Sequence, residues 1–150
     1  MRAVVARVAW AKVEVEEQVV GQIGPGLLVL LGCGKGDEAR DADLLVDKIV
    51  SLRIFENDGG KMDRSVIDFQ GSVLVVSQFT LFADVSRGRR PGFDDAMPPE
   101  LAEPLVETFV AKCKALVATE TGRFRAHMRV SSLNDGPVTI WLDSRAMRKG

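Results

Sequence analysis

A chain of 150 residues is most simply one domain, since this length buries roughly two-thirds of the surface exposed on unfolding. Its residues are 46% hydrophobic and 27% charged, as in globular proteins, and its net charge of −1 argues against a surface coated all round with nucleic acid, though not against a local basic patch. The longest apolar stretch, GLLVLLGC at 26–33, is far shorter than the ~20 residues that cross a bilayer, and the N-terminus lacks a signal-peptide core, so we expect a cytoplasmic protein.

The first part of the chain predicts strands. Residues 2–9 and 11–16 are rich in β-forming valines, and a break is expected near Trp10. EEQ at 16–18 turns the chain into VVGQI, and GPG at 24–26 is a second turn signal. LLVLLG after that turn is typical of a strand buried on both faces. These segments therefore predict the start of a β-sheet.

Helices and a further buried strand follow. Apolar side chains on one face predict a first helix over 38–52, and NDGG at 57–60 predicts a hairpin turn. GSVLVVSQFTL contains the clearest buried strand, and the segment after it, 82–99, lacks any period and is expected to be a long loop. An apolar stripe over 105–117 predicts a second helix, with Pro104 in its first turn or at its start.

The last part of the chain adds two predicted strands, GRFRAHMRVSS and PVTIWLD, and a tail over 144–150 that is expected to be solvated and flexible. The elements together predict a mixed α/β fold in a single domain over residues 1–150. Its sheet would be mostly antiparallel, or an open barrel, and would be covered by two main helices.

The histidine and cysteine residues that usually ligate zinc are few. Cys33 and Cys113 form no CxxC pair and are expected to be buried thiols. With His127 as the single histidine, the chain lacks the ligands of a usual zinc site, so no metal or other cofactor is expected. GCGKG at 32–36 fits neither phosphate-loop pattern and predicts a tight turn.

Polar side chains end the buried strand where SQFTL follows VLVV. Ser77, Gln78 and Thr80 would place two hydroxyls and an amide at a strand end that faces a long loop, a common location for ligand-binding atoms. The same hydroxyls also suit hydrogen bonds to neighbouring backbone, so both interpretations stay open. Nothing in the spacing brings His127 to Thr80, so a Ser-His-Asp triad is poorly supported. Hydrolysis would then rest on backbone N–H donors that stabilise an oxyanion.

Arginines are concentrated in SRGRRPG at 86–92 and in GRFRAHMR at 122–129. The planar guanidinium is well suited to phosphate, although a solvated surface explains the same residues equally well. If both segments share one face, they predict a footprint for an RNA end. The arginines concerned are Arg87, Arg89, Arg90, Arg123, Arg125 and Arg129.

Three segments together carry a family resemblance. NDGPVT, VVSQFTL and GQIGPGLLVLLG resemble the D-aminoacyl-tRNA deacylases of the D-tyrosyl-tRNA deacylase type. SQFTL and NDGPVT, about 55 residues apart, form a specific pair, whereas either alone would be weak. The resemblance runs nearly end to end, through RV at 7–8, RIF at 53–55, GKM at 60–62, RGRRPGF at 87–93 and TGRF at 121–124.

The resemblance implies hydrolysis of the ester between a D-amino acid, or glycine, and the 3′ end of tRNA, a proofreading step that recycles the tRNA. It implies a homodimer in which a loop of one subunit completes the site of the other. Gly136 and Pro137 would lie in that loop with a cis peptide bond, hold the substrate's α-amino group through their carbonyls and exclude L side chains. Arg7 would brace the loop.

The same resemblance places Ser77, Gln78, Phe79 and Thr80 on the pocket floor. Backbone N–H groups near Phe79 and Thr80 would face the ester carbonyl, with Ser77 and Gln78 in support. Thr80 would act either as a nucleophile or, as the family favours, as a positioning residue beside the terminal 2′-hydroxyl of the RNA.

Some positions depart from the family pattern. Trp10 and Lys12 follow RV where small residues are usual, and Phe82 follows SQFTL where a smaller residue is expected, so Phe82 would narrow the pocket or its mouth. His127 matches no family motif and is assigned to strand packing.

Three alternative functions are weighed against the enzyme. A module that binds tRNA ends without chemistry would use exposed aromatic side chains, whereas this chain has no tyrosine and its phenylalanines lie mostly in apolar patterns. The intact SQFTL and NDGPVT motifs argue against a related deacylase with relaxed chirality, and two polar motifs at strand ends argue against a purely structural dimer.

Overall fold

The computed structural model describes residues 1–148, in which strands and helices alternate. Among these residues no helix is both long enough and apolar enough to span a bilayer. The elements are β1 (Arg2–Val15), β2 (Gln18–Ile23), β3 (Gly26–Gly32), α1 (Ala39–Ser51), β4 (Phe55–Glu56), β5 (Met62–Arg64), β6 (Ser72–Ser77), a 3-10 helix (Phe79–Phe82), α2 (Pro99–Lys114), β7 (Ala118–Thr121), β8 (Arg129–Asp143) and α3 (Ser144–Met147).

The main sheet is built around the long strand β1. One edge of β1 pairs with β2 and β3, which act as a single antiparallel strand because the register continues unbroken across the GPG turn, from Ala11 opposite Ile23 to Val8 opposite Gly26. The other edge of β1 pairs antiparallel with β8. β6 and then β7 extend the sheet beyond β3 in parallel. The sheet is thus mixed, with its longest ladders antiparallel.

The sheet curls into an open barrel with a core on each side. β2 comes so close to β7 that a Cβ on Gly21 would overlap the carbonyl group of Thr121. A small apolar cluster fills the inside of the curve, and α1 and α2 cover the outer face with a larger one that includes Ile49 and Phe109. The inner cluster consists of Val8, Ala11, Val13, Ile23, Leu28, Leu74 and Val76. This architecture confirms the predicted mixed α/β sheet or open barrel with two main helices.

Three local predictions are wrong. The expected break at Trp10 is absent, and β1 runs continuously through it. At this point the neighbour of β1 changes from β3, which pairs with residues up to Val8, to β2, which pairs from Ala11 onward. Pro104 lies inside α2, which begins at Pro99. Residues 122–128 are a loop rather than a strand, and the strand that precedes them, β7, was not predicted because its four residues carry little pattern of their own.

The segment expected to be a flexible tail begins instead as the helix α3. Ser144 is fully buried, accepts a hydrogen bond from the amino group of Met1 at 2.8 Å and donates one to Asp41 at 2.7 Å. Arg148 forms an ion pair with Asp41, whose side chain has no exposed surface. These contacts fix residues 144–148 to both α1 and the start of β1, and the end of the predicted tail lies outside the described residues.

Burial alone would raise the pKa of the Asp41 carboxyl group. It is outweighed by hydrogen bonds from Arg148, from the backbone N–H of Glu38 and from Ser144, which hold the pKa well below its usual range. The ionised carboxylate is therefore the form on which these contacts depend.

Both cysteines are buried, as predicted, and burial raises the pKa of each thiol to about 12. The nearby charge of Asp37 raises the pKa of the Cys33 thiol further. The glycines after Cys33 form a turn in which the N–H of Gly34 donates to Asp37 at 2.6 Å and Gly36 has a φ of 86°. GCGKG is thus a tight turn, as its spacing predicts.

Candidate active site

β6 ends at Ser77 and continues directly into the 3-10 helix that carries the rest of SQFTL. The N–H of Gln78 still donates to Leu31 of β3 at 2.7 Å, as the last contact of the strand. Along the helix, the N–H of Leu81 donates to the carbonyl of Gln78 at 3.2 Å, and the N–H of Ala83 donates to the carbonyl of Thr80 at 3.0 Å. The N–H groups of Phe79 and Thr80 precede these donors and belong to the unsatisfied end of the helix. They are the two backbone donors that the end of this strand leaves outside the bonding of the helix.

The Thr80 hydroxyl has a partner that does not activate it. Its oxygen accepts a hydrogen bond from the side-chain amide of Gln78. An amide is not a base, so this contact orients the hydroxyl without removing its proton. The geometry therefore favours the positioning role of Thr80 over the nucleophilic one.

A cleft of about 690 Å³ opens beside this strand end, within the size range of small-molecule sites. Ser77, Gln78 and Phe79 form one wall. Phe79 is 56% exposed, and its ring meets that of Phe93 edge to face with centroids 5.0 Å apart. The remaining lining is mainly apolar and comes from α2, from neighbouring strands, from the loop before α2 and from the loop after β7, the loops contributing Met97, Phe124 and Met128.

Two sequence predictions about this cleft are wrong. His127 does not pack in a strand, since it lies exposed in the loop over 122–128 and lines the cleft. Phe82 does not narrow the cleft: it is 2% exposed, is not among the lining residues and is enclosed by the guanidinium groups of Arg2 and Arg145. Neither location follows from local pattern, because both depend on how distant segments pack.

The Gly136–Pro137 motif forms a loop within the β1–β8 ladder. Ala6 faces Thr139 and Val8 faces Asn134, so the segment 135–138 bulges out opposite Arg7 alone. The Gly136–Pro137 peptide bond is cis, and both residues are exposed.

Two sets of contacts hold this loop. Asn134 closes it, donating to Thr139 at 2.8 Å and accepting from the N–H of Val138 at 3.0 Å. Arg7, which is only 9% exposed, donates through Nε to the carbonyl of Asp135 at 2.9 Å and through Nη1 to the carbonyl of Ile54 at 2.6 Å. Arg7 thus ties the base of the loop to the segment that follows α1.

The structure does not bring the two motifs together within one chain. The Gly136–Pro137 loop on β8 and Ser77 on β6 are separated by three strand spacings, because β1 and β3 lie between their strands. They also lie at different heights along the strands, the loop opposite Arg7 of β1 and Ser77 in line with Ala3 of β1. With strands about 4.8 Å apart and residues about 3.3 Å apart, this separation corresponds to roughly 20 Å. Gly136 and Pro137 are accordingly not among the residues that line the cleft.

Both arginine-rich segments adjoin the cleft, although Arg125 is the one arginine among the described residues that line it. The loop that carries Arg87, Arg89 and Arg90 is closed at its base by two hydrogen bonds between Asp84 and Gly92, at 2.7 and 2.8 Å. Phe93 follows that base directly and lines the cleft, while Arg125 lines it from the second segment. The side chains of all six arginines are exposed, including Arg123 and Arg129. Within residues 1–148 no group of His, Cys, Asp and Glu is arranged to hold a metal ion.

The fold and the cleft together define a class: a small α/β protein with backbone donors at a strand end, beside a mainly apolar cleft that two exposed arginine-rich loops adjoin. Comparison with known proteins is more specific. The family described as D-Tyr-tRNA(Tyr) deacylase matches residues 4–143, and this chain belongs to that family. The resemblance carried by SQFTL and NDGPVT is therefore confirmed.

Individual relatives match along nearly their whole length. The chain is 57% identical to the D-aminoacyl-tRNA deacylase of Roseiflexus sp. (strain RS-1) over 150 residues, which cover 99% of this chain and 97% of the relative. It is also 57% identical, over 145 residues and 96% of each chain, to the D-aminoacyl-tRNA deacylase of Symbiobacterium thermophilum.

Two solved structures are similar in fold. One is named "c-Myc DNA Unwinding Element Binding Protein" and superposes with a TM-score of 0.91 at 41% identity, covering 95% of this chain and 98% of that one. The other, a probable eukaryotic D-amino acid tRNA deacylase, has a TM-score of 0.79 at 15% identity, covers 94% of this chain and 97% of that one, and shows that the fold is shared.

Proposed function

We propose that this protein hydrolyses the ester that joins a D-amino acid to the 3′ end of tRNA. The observation that carries the proposal is the end of β6 in a member of the deacylase family, where Phe79 lines the cleft and the N–H groups of Phe79 and of the next residue, Thr80, lie at the open end of the 3-10 helix. Water adds to the ester carbonyl carbon, and these two N–H groups stabilise the negative charge that develops on the carbonyl oxygen. The bond to the ribose 3′-oxygen then breaks, and that oxygen takes a proton to leave free tRNA and the D-amino acid.

The chain itself supplies position and electrostatics rather than a strong base. Gln78 holds the hydroxyl of Thr80, which supports a positioning role for Thr80. The 2′-hydroxyl of the terminal ribose is then the group nearest to the reacting ester that assists attack.

Chiral selection is assigned to Gly136 and Pro137 of a second copy of this chain. The separation of roughly 20 Å within one chain supports a site completed by a partner, because strand spacing does not allow the two motifs to meet in cis. Large apolar side chains exposed along β1 and β8 support a homodimer as well, since exposed apolar surface commonly marks an interface. They are Trp10, Val130, Leu133 and Trp141, each at least 40% exposed.

Selection by the inserted loop would be steric. The carbonyl groups of Gly136 and Pro137 accept from the α-amino group of the substrate, and an L side chain collides with the loop backbone. Glycine has no side chain to reject, so glycyl-tRNA is also a substrate.

The arginine rim binds the acceptor end of the tRNA. Guanidinium groups in exposed loops on both sides of the cleft suit phosphates that flank the esterified nucleotide. A cytoplasmic location follows from the substrate, which is the charged tRNA of translation. The residues assigned to this surface are Arg87, Arg89, Arg90, Arg123 and Arg125.

The first test compares the hydrolysis of D-tyrosyl-tRNA and L-tyrosyl-tRNA by the purified protein without added metal. Rapid loss of the D ester with an intact L ester is the expected result. Loss of both esters would indicate a deacylase with relaxed chirality. Binding of both without hydrolysis would favour a nucleic-acid-binding module. Because one structural relative is named as a DNA-binding protein, unesterified tRNA and duplex DNA serve as competitors.

A complementation test decides whether the site is shared between subunits. Phe79→Asp places a negative charge beside the oxyanion donors at a 56% exposed position, and Gly136→Val adds a Cβ that would lie 2.8 Å from the N of Val138. Each variant alone should be inactive. If the site is shared, the two variants unfolded and refolded together in equal amounts should recover about a quarter of wild-type activity. Random pairing makes about half of all dimers heterodimers, and one of the two sites in each heterodimer is intact. No recovery, with heterodimers shown to form, would place both motifs of each site in one chain.

Salt dependence tests the arginine rim. Replacing three loop arginines with alanine should weaken tRNA binding and lower the slope of log affinity against log salt by about 2, at roughly 0.7 per phosphate contact in single-stranded RNA. The control variant also replaces three arginines with alanine, but these arginines form ion pairs with carboxylates outside the two arginine-rich segments. It should keep the wild-type slope. The first set is Arg87, Arg89 and Arg90, and the control set is Arg40, Arg53 and Arg64.

A further inference from the structure

Phe82, the last residue of the 3-10 helix, is held in a slot on the side away from the cleft. Its ring lies between two guanidinium groups, with Cζ of Arg2 4.4 Å and Cζ of Arg145 5.5 Å from the ring centroid. Gly34 leaves room for the ring, since a Cβ there would lie 2.6 Å from Cζ of Phe82. Phe82 is 2% exposed in this position. Contacts with Arg2, Arg145 and Gly34 therefore fix the position of the ring.

Arg2 also contacts the backbone of the same helix. Its Nη1 donates to the carbonyl of Leu81 at 2.8 Å, and its Nε pairs with Asp143 at 3.3 Å. One side chain thus joins the start of β1, the end of β8 and the helix that carries Phe79.

The other wall of the slot is anchored in a buried ionic cluster. Arg145 donates to the carbonyl of Lys35 at 2.7 Å and lies 3.4 Å from Asp37. Asp37 pairs with the amino group of Met1 at 2.7 Å, and neither group has exposed surface. Asp37, whose side chain has no exposed surface, thus gives Arg145 a fixed partner, although the Arg145 side chain itself is 44% exposed.

A single turn of 3-10 helix has little stability of its own, so its placement depends on what holds its ends. At one end it is the continuation of β6, and at the other it is held by the contacts of Arg2 and the Phe82 slot. We propose that Arg2 is a positioning residue for the reaction: through Leu81 and Phe82 it sets the orientation of the Phe79 and Thr80 N–H groups. The proposal rests on the proposed function, because those groups matter for the rate only if they face the reacting ester.

The test compares two variants of Arg2 with a matched control. Arg2→Met keeps the aliphatic stem but loses the hydrogen bond to Leu81 and the charge over Phe82, whereas Arg2→Lys keeps a charge and a donor. Asp143→Asn removes the ion pair with Arg2 and keeps an oxygen for the N–H of Arg145, which Asp143 accepts at 2.9 Å.

Kinetics should separate orientation from binding. With D-tyrosyl-tRNA, Arg2→Met should lower kcat about 10- to 100-fold, the loss typical of reacting groups misplaced by about 1 Å, and should leave KM within about twofold. Arg2→Lys should recover part of the rate, and Asp143→Asn should retain wild-type kcat. Unchanged kcat in Arg2→Met, or an equal loss in Asp143→Asn, would overturn the proposal, since Arg2 would then serve only to attach β8.

Hydrogen exchange gives a readout that does not require activity. The amide protons of Leu81 and Ala83, which bond within the 3-10 helix, should exchange faster in Arg2→Met but not in Asp143→Asn. Unchanged exchange in Arg2→Met would refute the positioning role. If the wild-type protein failed to hydrolyse D-tyrosyl-tRNA, the proposed function would fail, and exchange would still decide whether Arg2 places the helix.

Discussion

Replacing Arg7 with methionine tests the support of the Gly136–Pro137 loop. The side chain makes two hydrogen bonds, and their loss has different costs. The carbonyl of Ile54 is buried, so leaving it without a donor costs about 1–3 kcal/mol. The carbonyl of Asp135 lies on an exposed loop where water replaces the guanidinium, so its loss costs about 1 kcal/mol. Arg7→Met should therefore lower the free energy of unfolding by about 2–4 kcal/mol, or Tm by about 5–12 °C.

The effect on activity should exceed what stability explains. A loop without its brace samples several conformations, and kcat/KM for D-tyrosyl-tRNA should fall about 10- to 100-fold at temperatures where the variant is folded. Arg7→Lys should be intermediate, because a single ammonium group replaces a fork that reaches two carbonyls. The assays are thermal unfolding by circular dichroism and deacylation of the D and L esters.

The control for Arg7 lies on the same strand and has the same charge. Lys12 pairs with Glu14 at 3.0 Å on the surface, so Lys12→Met should change stability by about 0.5 kcal/mol or less and leave the rate unaltered. If Arg7→Met loses stability but keeps both its rate and its preference for the D ester, Arg7 does not support the loop in its functional role.

Three further predictions concern the scaffold. Cys33 and Cys113, with thiol pKa values raised to about 12, should resist a disulfide reagent at pH 8 in the folded protein and react once urea is added, and reaction of the folded protein would contradict their burial. Because the pKa of Asp41 is held low in the folded protein, its stabilising contribution is complete above the unfolded value of about 4 and is lost as pH falls below it. The difference in Tm between wild type and Asp41→Asn should thus be constant from pH 7 to about 5 and shrink progressively below about 4, whereas a difference as large at pH 2.5 as at pH 7 would argue against ionisation as its source. Gly26→Ala should cost about 3 kcal/mol or more in a urea titration, since its Cβ would overlap the backbone of Ser72 on the neighbouring strand, and near-wild-type stability would show that the strands separate at little cost.

Local pattern predicts most of the elements of this fold. β3 and β6 are continuous apolar runs, and the structure places both in the middle of the sheet with buried side chains on both faces. The stripes of α1 and α2 also correspond to their buried faces. Such elements follow from sequence because burial selects side chains at a fixed period. SQFTL was recognisable for the complementary reason, since polar residues interrupt a pattern that burial would otherwise continue.

The elements that were mispredicted depend on partners far along the chain. β1 is continuous at Trp10 because β8 pairs with it on both sides of that residue. Residues 144–148 are fixed because Arg148 finds a buried carboxylate on α1. The spacing of apolar residues carries no information about such contacts. Pattern alone therefore predicts a break at Trp10 and a flexible tail after residue 143.

The type of fold, the buried thiols and the two motifs of the family can all be predicted from the amino-acid sequence, because each depends on side-chain period or on residue identity at fixed spacing. The surroundings of those motifs depend on the packing of distant segments. Arg7 reaches a carbonyl 128 residues away, Arg2 reaches one 79 residues away, and the Gly136–Pro137 loop lies far from Ser77 because three strand pairings separate them. The physical reason is that strand pairing and ion pairing join residues by position in space, and a chain of this length brings most of its residues near partners that no local pattern specifies.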